Sequence, residues 1–222
     1  MAASRRRDGF DGEKQIDIPT SVLDKQFRGS DLQNALFLTH IGFYPKASFH
    51  YRERKKGCNA NILFYCLDGK GYYDTHKGSF ELTANQFAIL PAGHFHRYQA
   101  DINDPWTIHW VHFSGMKLRE LNNFFDIEQF IAPTPIKYNE KIIEAWEEMY
   151  NALKSGYTLK NVSHSSFCLY RFISLFVFGE SKPEIAEEDD PIIESTYFLK
   201  ANIDKIFSID EIACRFSYSA SH

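Results

Sequence analysis

Two neighbouring segments of the chain concentrate the side chains that could bind a small molecule or a metal ion. Residues 91–98 contain two histidines, an arginine and a tyrosine, and residues 105–113 contain two tryptophans and two histidines. Because side chains alternate between the two faces of a β-strand, His96 and Tyr98 would share one face of the first strand. The second strand would present four side chains on one face: Trp106, Ile108, Trp110 and His112. If both faces point into a barrel, they line its interior with aromatic and imidazole rings.

Such a lining could bind a small amphipathic ligand. Flat rings offer apolar faces and polar edges, as a sugar requires, and Arg54 could donate several hydrogen bonds to a hydroxyl or carboxylate group. The competing interpretation is that the same rings only fill the core of a small barrel, which would then have no cavity. The spacing of the residues leaves both interpretations open.

The histidines also allow a metal-dependent enzyme as an alternative. His94 and His96, with His109 or His112, have the residue types of a three-histidine metal site. However, the turn signal at residues 92–93 lies immediately before the first two histidines, and a strand would have to include both to orient them alike. No Gly-x-Ser-x-Gly sequence or phosphate-binding glycine loop occurs. We therefore expect no catalytic residues, no metal site and no cofactor.

The composition is that of a protein with enough apolar residues for a packed core. The 222 residues are 44% hydrophobic and 24% charged, and the formal net charge is −4, which excludes a uniformly basic protein that coats nucleic acid. The four cysteines form no Cys-x-x-Cys pair, so reduced thiols are expected. No apolar stretch is long enough for a signal peptide or a membrane span. These features predict a cytoplasmic protein with no membrane partner.

The region from about residue 36 to 114 has the pattern of short β-strands separated by turns. Dipeptides such as Asp68-Gly69 mark turns because glycine adopts the positive φ angles that tight turns require. Eight β-prone runs follow one another: residues 35–44, 47–52, 61–67, 71–75, 79–82, 86–90, 96–100 and 106–113. This spacing predicts an all-β sandwich or barrel.

Two helical patterns follow the strands. Residues 138–153 place apolar side chains at helical spacing, and residues 162–178 are apolar nearly all round. A helix of the second kind must be covered by the barrel, by the other helix or by a second subunit. We predict a dimer contact led by Phe172, Leu175 and Phe176.

The remaining segments differ in composition from this central region. Residues 1–34 are polar and lack periodicity, so they are predicted to form an N-terminal arm. Residues 181–191 are acidic and contain two prolines, and they are predicted to be a linker. Residues 192–222 return to helical spacing, and Ser208 and Glu211 have the spacing of a capping box that starts a helix.

Two stretches carry a resemblance to a known family. The first is Leu90-Pro91-Ala-Gly93-x-x-His96-x-Tyr98, followed by Trp106-x-x-x-Trp110-x-x-Phe113-x-Gly115. The second is Ile209-x-x-Ile212-Ala213-x-x-Phe216-Ser-Tyr218-Ser219-x-x-His222. In this order they resemble the sensor domain and the opening of the first helix-turn-helix of the AraC-type bacterial transcription regulators.

This resemblance implies an α+β fold, with a cupin-like β-barrel followed by two dimerisation helices over residues 35–180. An all-α helix-turn-helix segment would follow in residues 192–222, truncated because its recognition helix would begin at Ser219 and the sequence stops at His222. The implied function is an effector-responsive regulator, an activator of transcription, that binds a small molecule such as a sugar in the barrel. The implied partners are a second copy of the chain and, for the intact protein, promoter DNA.

The resemblance also implies which residues contact the ligand. They correspond to Arg54, Tyr98, Ile108 and Trp110, with His96 close by. Ile108 departs from the arabinose-responsive pattern, which has an imidazole there, and leaving a buried hydroxyl without a partner costs about 1–3 kcal/mol. Arabinose is therefore not favoured as the effector. A metal-dependent cupin enzyme and a dimerisation module without a ligand remain the alternatives.

Overall fold

The computed structural model describes residues 5–27, 35–179, 191–203, 205–216 and 218. Contacts between Cα atoms divide the chain into two units, Met1–Gly179 and Glu180–His222. Among the described residues, no helix combines the length and the apolar character needed to cross a membrane. The described strands all belong to the first unit.

The described part of the first unit contains ten strands in two antiparallel sheets. The strands are β1 Lys14–Asp17, β2 Phe37–Tyr44, β3 Tyr51–Arg54, β4 Asn61–Asp68, β5 Lys70–Thr75, β6 Gly78–Thr83, β7 Gln86–Leu90, β8 His96–Ala100, β9 Thr107–Ser114 and β10 Thr134–Pro135. The larger sheet has the order β1-β2-β9-β4-β7-β10, and the smaller has the order β3-β8-β5-β6. The predicted cupin-like barrel is confirmed, and β2 to β9 correspond to the eight β-prone runs.

The larger sheet is buried on both faces. Along β9, Ile108 and Trp110 belong to the core between the sheets, whereas Val111 and Phe113 belong to the core beneath the helices. The other central strands, β4 and β7, divide their side chains in the same way. Burial on both faces explains why these strands are apolar at consecutive positions rather than at alternate ones.

Three of the described helices begin at a residue whose side chain caps the helix. The helices are α1 Thr20–Phe27, α2 Leu118–Phe124, α3 Glu140–Lys154, α4 Leu159–Val177, α5 Pro191–Ala201 and α6 Ile209–Arg215, and a 3₁₀ helix spans Ile127–Ile131. The side chain of Asn139 accepts from a backbone amide at the start of α3, and Thr158 does so at the start of α4. The predicted capping box of Ser208 and Glu211 is confirmed at the start of α6.

The prediction that residues 1–34 form an arm separate from the domain of residues 35–180 is wrong for the described residues 5–27. Strand β1 pairs with β2 at the edge of the larger sheet, and Phe10 is buried against the ring of Tyr44 at 4.8 Å. On α1, Leu23 and Phe27 are buried in the core beneath the helices. A strand of four residues and a helix of eight are too short to show a period, so their burial is decided by tertiary contacts.

The prediction that Phe172 and Phe176 lead a dimer contact is also wrong. Their exposed fractions are 0% and 3%, because α4 packs this face onto the larger sheet within one chain. The Phe176 ring contacts Tyr65 at 5.5 Å and Phe87 at 5.0 Å. Leu175 is half-buried against the same core.

The predicted linker at residues 181–191 lies outside the described residues, except that α5 begins at Pro191. Ser219, the predicted start of a recognition helix, also lies outside them. The helical prediction for the second unit is confirmed for α5 and α6.

Candidate ligand-binding site

A cavity lies in the barrel, where the two sheets and the N-terminal residues meet. Its lining consists of Arg7, Gln15, Asp17, His40, Tyr44, His50, Arg52, Arg54, Phe64, Tyr98, Trp110 and His112. The space open to the centre of a water-sized sphere is about 50 Å³, and one water needs about 10–15 Å³ by that measure. The cavity therefore has room for a few waters or for part of a compact ligand.

Arg54 is held in place by two side chains of the neighbouring strand β8. Its Nη1 donates to the Tyr98 hydroxyl at 3.1 Å and to the Nε2 of His96 at 3.1 Å. Both contacts follow from the antiparallel pairing of β3 with β8, in which Arg54 lies opposite His96. With Nη1 engaged, the other N–H groups of the guanidinium remain available to a ligand.

His96 orients the arginine as a neutral imidazole. Because Arg54 can only donate, Nε2 of His96 accepts, so Nδ1 carries the proton and donates to the carbonyl of His94 at 3.1 Å. Burial, followed by the charge of Arg54, lowers the pKa of His96 to about 4. His96 is buried and does not line the cavity. The predicted role near the ligand becomes one of positioning Arg54.

Trp110 forms an aromatic wall of the cavity, and its position depends on Gly42. The two residues are paired across β2 and β9, and a Cβ atom on Gly42 would lie 2.2 Å from the indole. The indole is buried, and its Nε1–H finds no acceptor among the described residues. An unsatisfied buried donor costs about 1–3 kcal/mol, so a ligand acceptor at this point would be favoured.

The buried histidines of the barrel are neutral. Trp106 donates through Nε1 to Nδ1 of His50 at 3.2 Å. Burial, and then the charges of Arg52 and Arg54, lower the pKa of His50 to about 3. Burial is also the main reason why the pKa of His112 lies well below its ordinary value. These rings therefore offer hydrogen bonds rather than positive charge to a ligand at neutral pH.

Several lining residues were not among the sequence predictions. Arg52 lies two residues before Arg54 on β3 and shares its face, which the alternation of a strand could have indicated. The N-terminal residues Arg7, Gln15 and Asp17 carry no such signal. They reach the cavity because β1 adds to the sheet edge and the hydroxyl of Tyr44 donates to Gln15.

The sequence and its fold were compared with known proteins. Residues 44–164, more than half of the chain, match the family described as AraC-like ligand binding domain. The chain belongs to this family. The cavity of this AraC-like domain lies mostly within the matched residues, while Arg7, Gln15, Asp17 and His40 precede them.

Two curated relatives are named regulatory proteins. The chain is 25% identical over 154 residues to the MmsAB operon regulatory protein of Pseudomonas aeruginosa, across 66% of this chain and 48% of that protein. It is 32% identical over 60 residues to the Msm operon regulatory protein of Streptococcus mutans, across 27% of this chain and 22% of that protein. The match thus spans about half of the first relative and less of the second. Among solved structures, the AraC-like transcriptional activator CuxR aligns with a TM-score of 0.40 and 9% identity, covering 95% of this chain and 86% of that one.

Ile108 is not brought to the cavity of the AraC-like domain. It is fully buried on the inner face of β9, opposite Tyr44 and Cys66, in the apolar part of the barrel core. The lining residues do not include it. The ligand contact expected at this position is therefore not supported by the structure.

The histidines do not assemble into the alternative metal site. His94 is exposed and stacks on His76 at 4.3 Å, and His109 faces the helices, parallel to Trp146 at 4.5 Å. In the part of the chain that the structure describes, no three of these imidazoles meet as ligands; the group of potential ligands there is Glu148, His164 and Cys168, outside the barrel.

A larger surface cleft lies between the turn before β8 and helix α2. Its volume is about 480 Å³, and it is lined by Pro91, Ala92, His94, Leu118, Arg119, Asn122, Asn123, Asp126, Ile127 and Glu128. Its charged side chains are exposed. Since recognition needs polar groups fixed by burial, the smaller barrel cavity is the better candidate site.

Proposed function

We propose that this chain is the effector-binding part of a transcription regulator that activates its target genes. The observation that carries the proposal is a polar cavity within an AraC-like barrel, where Arg54 is oriented by His96 and Tyr98 beside the indole of Trp110. The residues do not form a catalytic constellation, so we propose a binding role rather than an enzymatic one, in the cytoplasm. Promoter DNA would be bound through the region to which α5 and α6 belong.

A small hydroxylated molecule of the carbohydrate class fits the groups that line the cavity. The face of Trp110 can cover an apolar ring face, and its Nε1–H and the free N–H groups of Arg54 can donate to hydroxyl oxygens. The cavity of about 50 Å³ is small for a whole sugar. We therefore expect the N-terminal residues that border it to shift when the ligand binds, which would link binding to a second state of the regulator.

A homodimer is proposed through the outer face of α4 rather than through its buried face. Phe167 and Tyr170, with exposed fractions of 52% and 41%, lie three residues apart on this helix. A pair of aromatic rings on one exposed face suits an isologous contact with a second copy. Replacing both by alanine should convert the dimer to a monomer in sedimentation equilibrium, while the circular dichroism spectrum shows that the chain stays folded.

The pocket is tested by removing its indole. A panel of mono- and disaccharides, sugar acids and sugar phosphates is screened by thermal shift, and the compound with the largest shift is titrated by calorimetry. Trp110→Ala should abolish this binding, and Trp110→Phe, which keeps a ring but removes the donor, should weaken it. Phe124→Ala, at a residue exposed outside the barrel, is the control and should bind normally. Unchanged binding by a folded Trp110→Ala protein would refute the pocket.

A further inference from the structure

The barrel cavity carries more positive than negative charge. Arg7, Arg52 and Arg54 line it, and Asp17 is the acidic residue of the lining. Asp17 is exposed, and its carboxylate accepts from the side-chain amide of Gln15 at 2.9 Å. Within the described residues, no carboxylate forms an ion pair with Arg52 or Arg54.

The other nearby carboxylates bind partners other than Arg52 and Arg54. Asp8 pairs with Arg7 at 3.5 Å. Glu13 accepts from the backbone amides of Gly9 and Phe10 at 2.7 and 2.8 Å, and Glu53 accepts from the hydroxyl of Tyr51 at 2.8 Å. The positive charge of Arg52 and Arg54 is therefore not neutralised by these neighbours.

The strand geometry places these two guanidinium groups on one side. Arg52 and Arg54 lie two residues apart on β3, so their side chains share one face of the strand. They lie opposite Tyr98 and His96, respectively, on the neighbouring strand β8. Burial, and then the charges of Arg54 and Arg7, lower the pKa of Arg52, so the cations repel one another. The planar forks of N–H donors match the oxygens of a carboxylate or phosphate, and an anion bound between them would relieve the repulsion.

We propose that the effector presents an anionic oxygen group, a carboxylate or a phosphate monoester, to Arg52 and Arg54, while Trp110 contacts the rest of the molecule. This inference rests on the proposed function and narrows its ligand to an acidic carbohydrate, a sugar acid or a sugar phosphate. Because the negative charge of Asp17 also borders the cavity, we expect the effector to carry a single anionic group rather than several.

The test compares acidic and neutral probes at constant ionic strength. Thermal shift and calorimetry are carried out with D-galacturonate against D-galactose, with D-glucose 6-phosphate against D-glucose, and with acetate and inorganic phosphate alone. We expect acidic probes to bind at least tenfold more tightly than their neutral partners, and the better of the two acidic classes to identify the anionic group. Arg52→Gln should weaken the acidic probes at least tenfold. Lys55→Gln, which removes the same charge from an exposed neighbour outside the cavity, should leave them unchanged.

The outcomes separate this inference from the proposed function. A neutral sugar that binds as tightly as its acid, with Arg52→Gln unaffected, overturns the anionic effector, while sensitivity to Trp110→Ala would still support the pocket. Anion-induced shifts that are equal in wild type and Arg52→Gln place the anion elsewhere and overturn the inference as well. No response to any of the anions overturns it too. Without ligand, Arg52→Gln should unfold at the same or a higher temperature than wild type. This result would show that the variant loses ligand binding although it is still folded.

Discussion

The two faces of strand β9 carry similar residues but have different surroundings. On the outer face, His109 lies parallel to Trp146 of α3, with ring centroids 4.5 Å apart and planes inclined by 4°. On the inner face, His112 borders the cavity and lies 4.8 Å from His40. Helices cover the outer face completely, whereas the smaller sheet leaves an opening over the inner one. Whether a buried histidine belongs to the core or borders the binding site therefore depends on which layer packs against its face of the strand.

The largest expected effect distinguishes the buried face of α4 from the exposed face of the same helix. Phe172→Ala should lower the free energy of unfolding by about 3–5 kcal/mol, because it leaves a cavity in a fully buried region. Leu159→Ala, at an exposed position of α4 outside the proposed dimer contact, should change it by less than about 1 kcal/mol. Urea unfolding measures both. A stable Phe172→Ala protein that has lost its dimer would restore the original dimer prediction.

The second largest expected effect is a loss of folding stability at acidic pH, caused by buried histidines on both sides of the larger sheet. Burial, as the first cause, lowers the pKa of His50 and of His109 to about 3. Between about pH 4 and 6.5 the unfolded chain therefore binds more protons than the folded one, and stability must fall as the pH falls. One such histidine contributes about 1.4 kcal/mol per pH unit.

Substitution of either histidine isolates this contribution. His109→Phe or His50→Gln should each reduce the loss of stability between pH 6.5 and 5 by about 2 kcal/mol, measured by urea unfolding at the two pH values. Phe124→Ala, at an exposed residue that does not titrate, serves as the comparison and should leave the loss unchanged. An equal loss in all four proteins would show that these histidines are not the groups that titrate.

The smallest expected effect comes from comparing substitutions on the two faces of β9 at neutral pH. The Nδ1 of His109 is buried without a partner among the described residues, so His109→Phe should keep the stack on Trp146 and change stability by less than about 1 kcal/mol, in the stabilising direction. His112→Phe should affect ligand binding instead, because this ring borders the cavity. Calorimetric titration with the effector would separate the two. Loss of effector binding by His109→Phe would contradict the division between the faces.

Much of the fold and part of the site follow from local pattern. The strands with consecutive apolar residues, the helices α3 and α4, and the cap at Ser208 were all predicted from spacing within a few residues. Arg54, Tyr98 and Trp110 were predicted and line one cavity. Arg52 was missed although it shares a strand face with Arg54, because the family resemblance marks Arg54 and does not mark Arg52.

The sequence by itself determined the central strands, the helices α3 and α4 and the inward-facing rings, because side-chain alternation and capping act within a few residues. Only the tertiary structure decided that Phe172 and Phe176 are core, that residues 5–27 join the barrel, that Ile108 lies away from the cavity, and that His96 supports Arg54. Each of these facts depends on which distant strand or helix packs on a given face. That choice is made by burial over the whole chain, and local periodicity does not encode it.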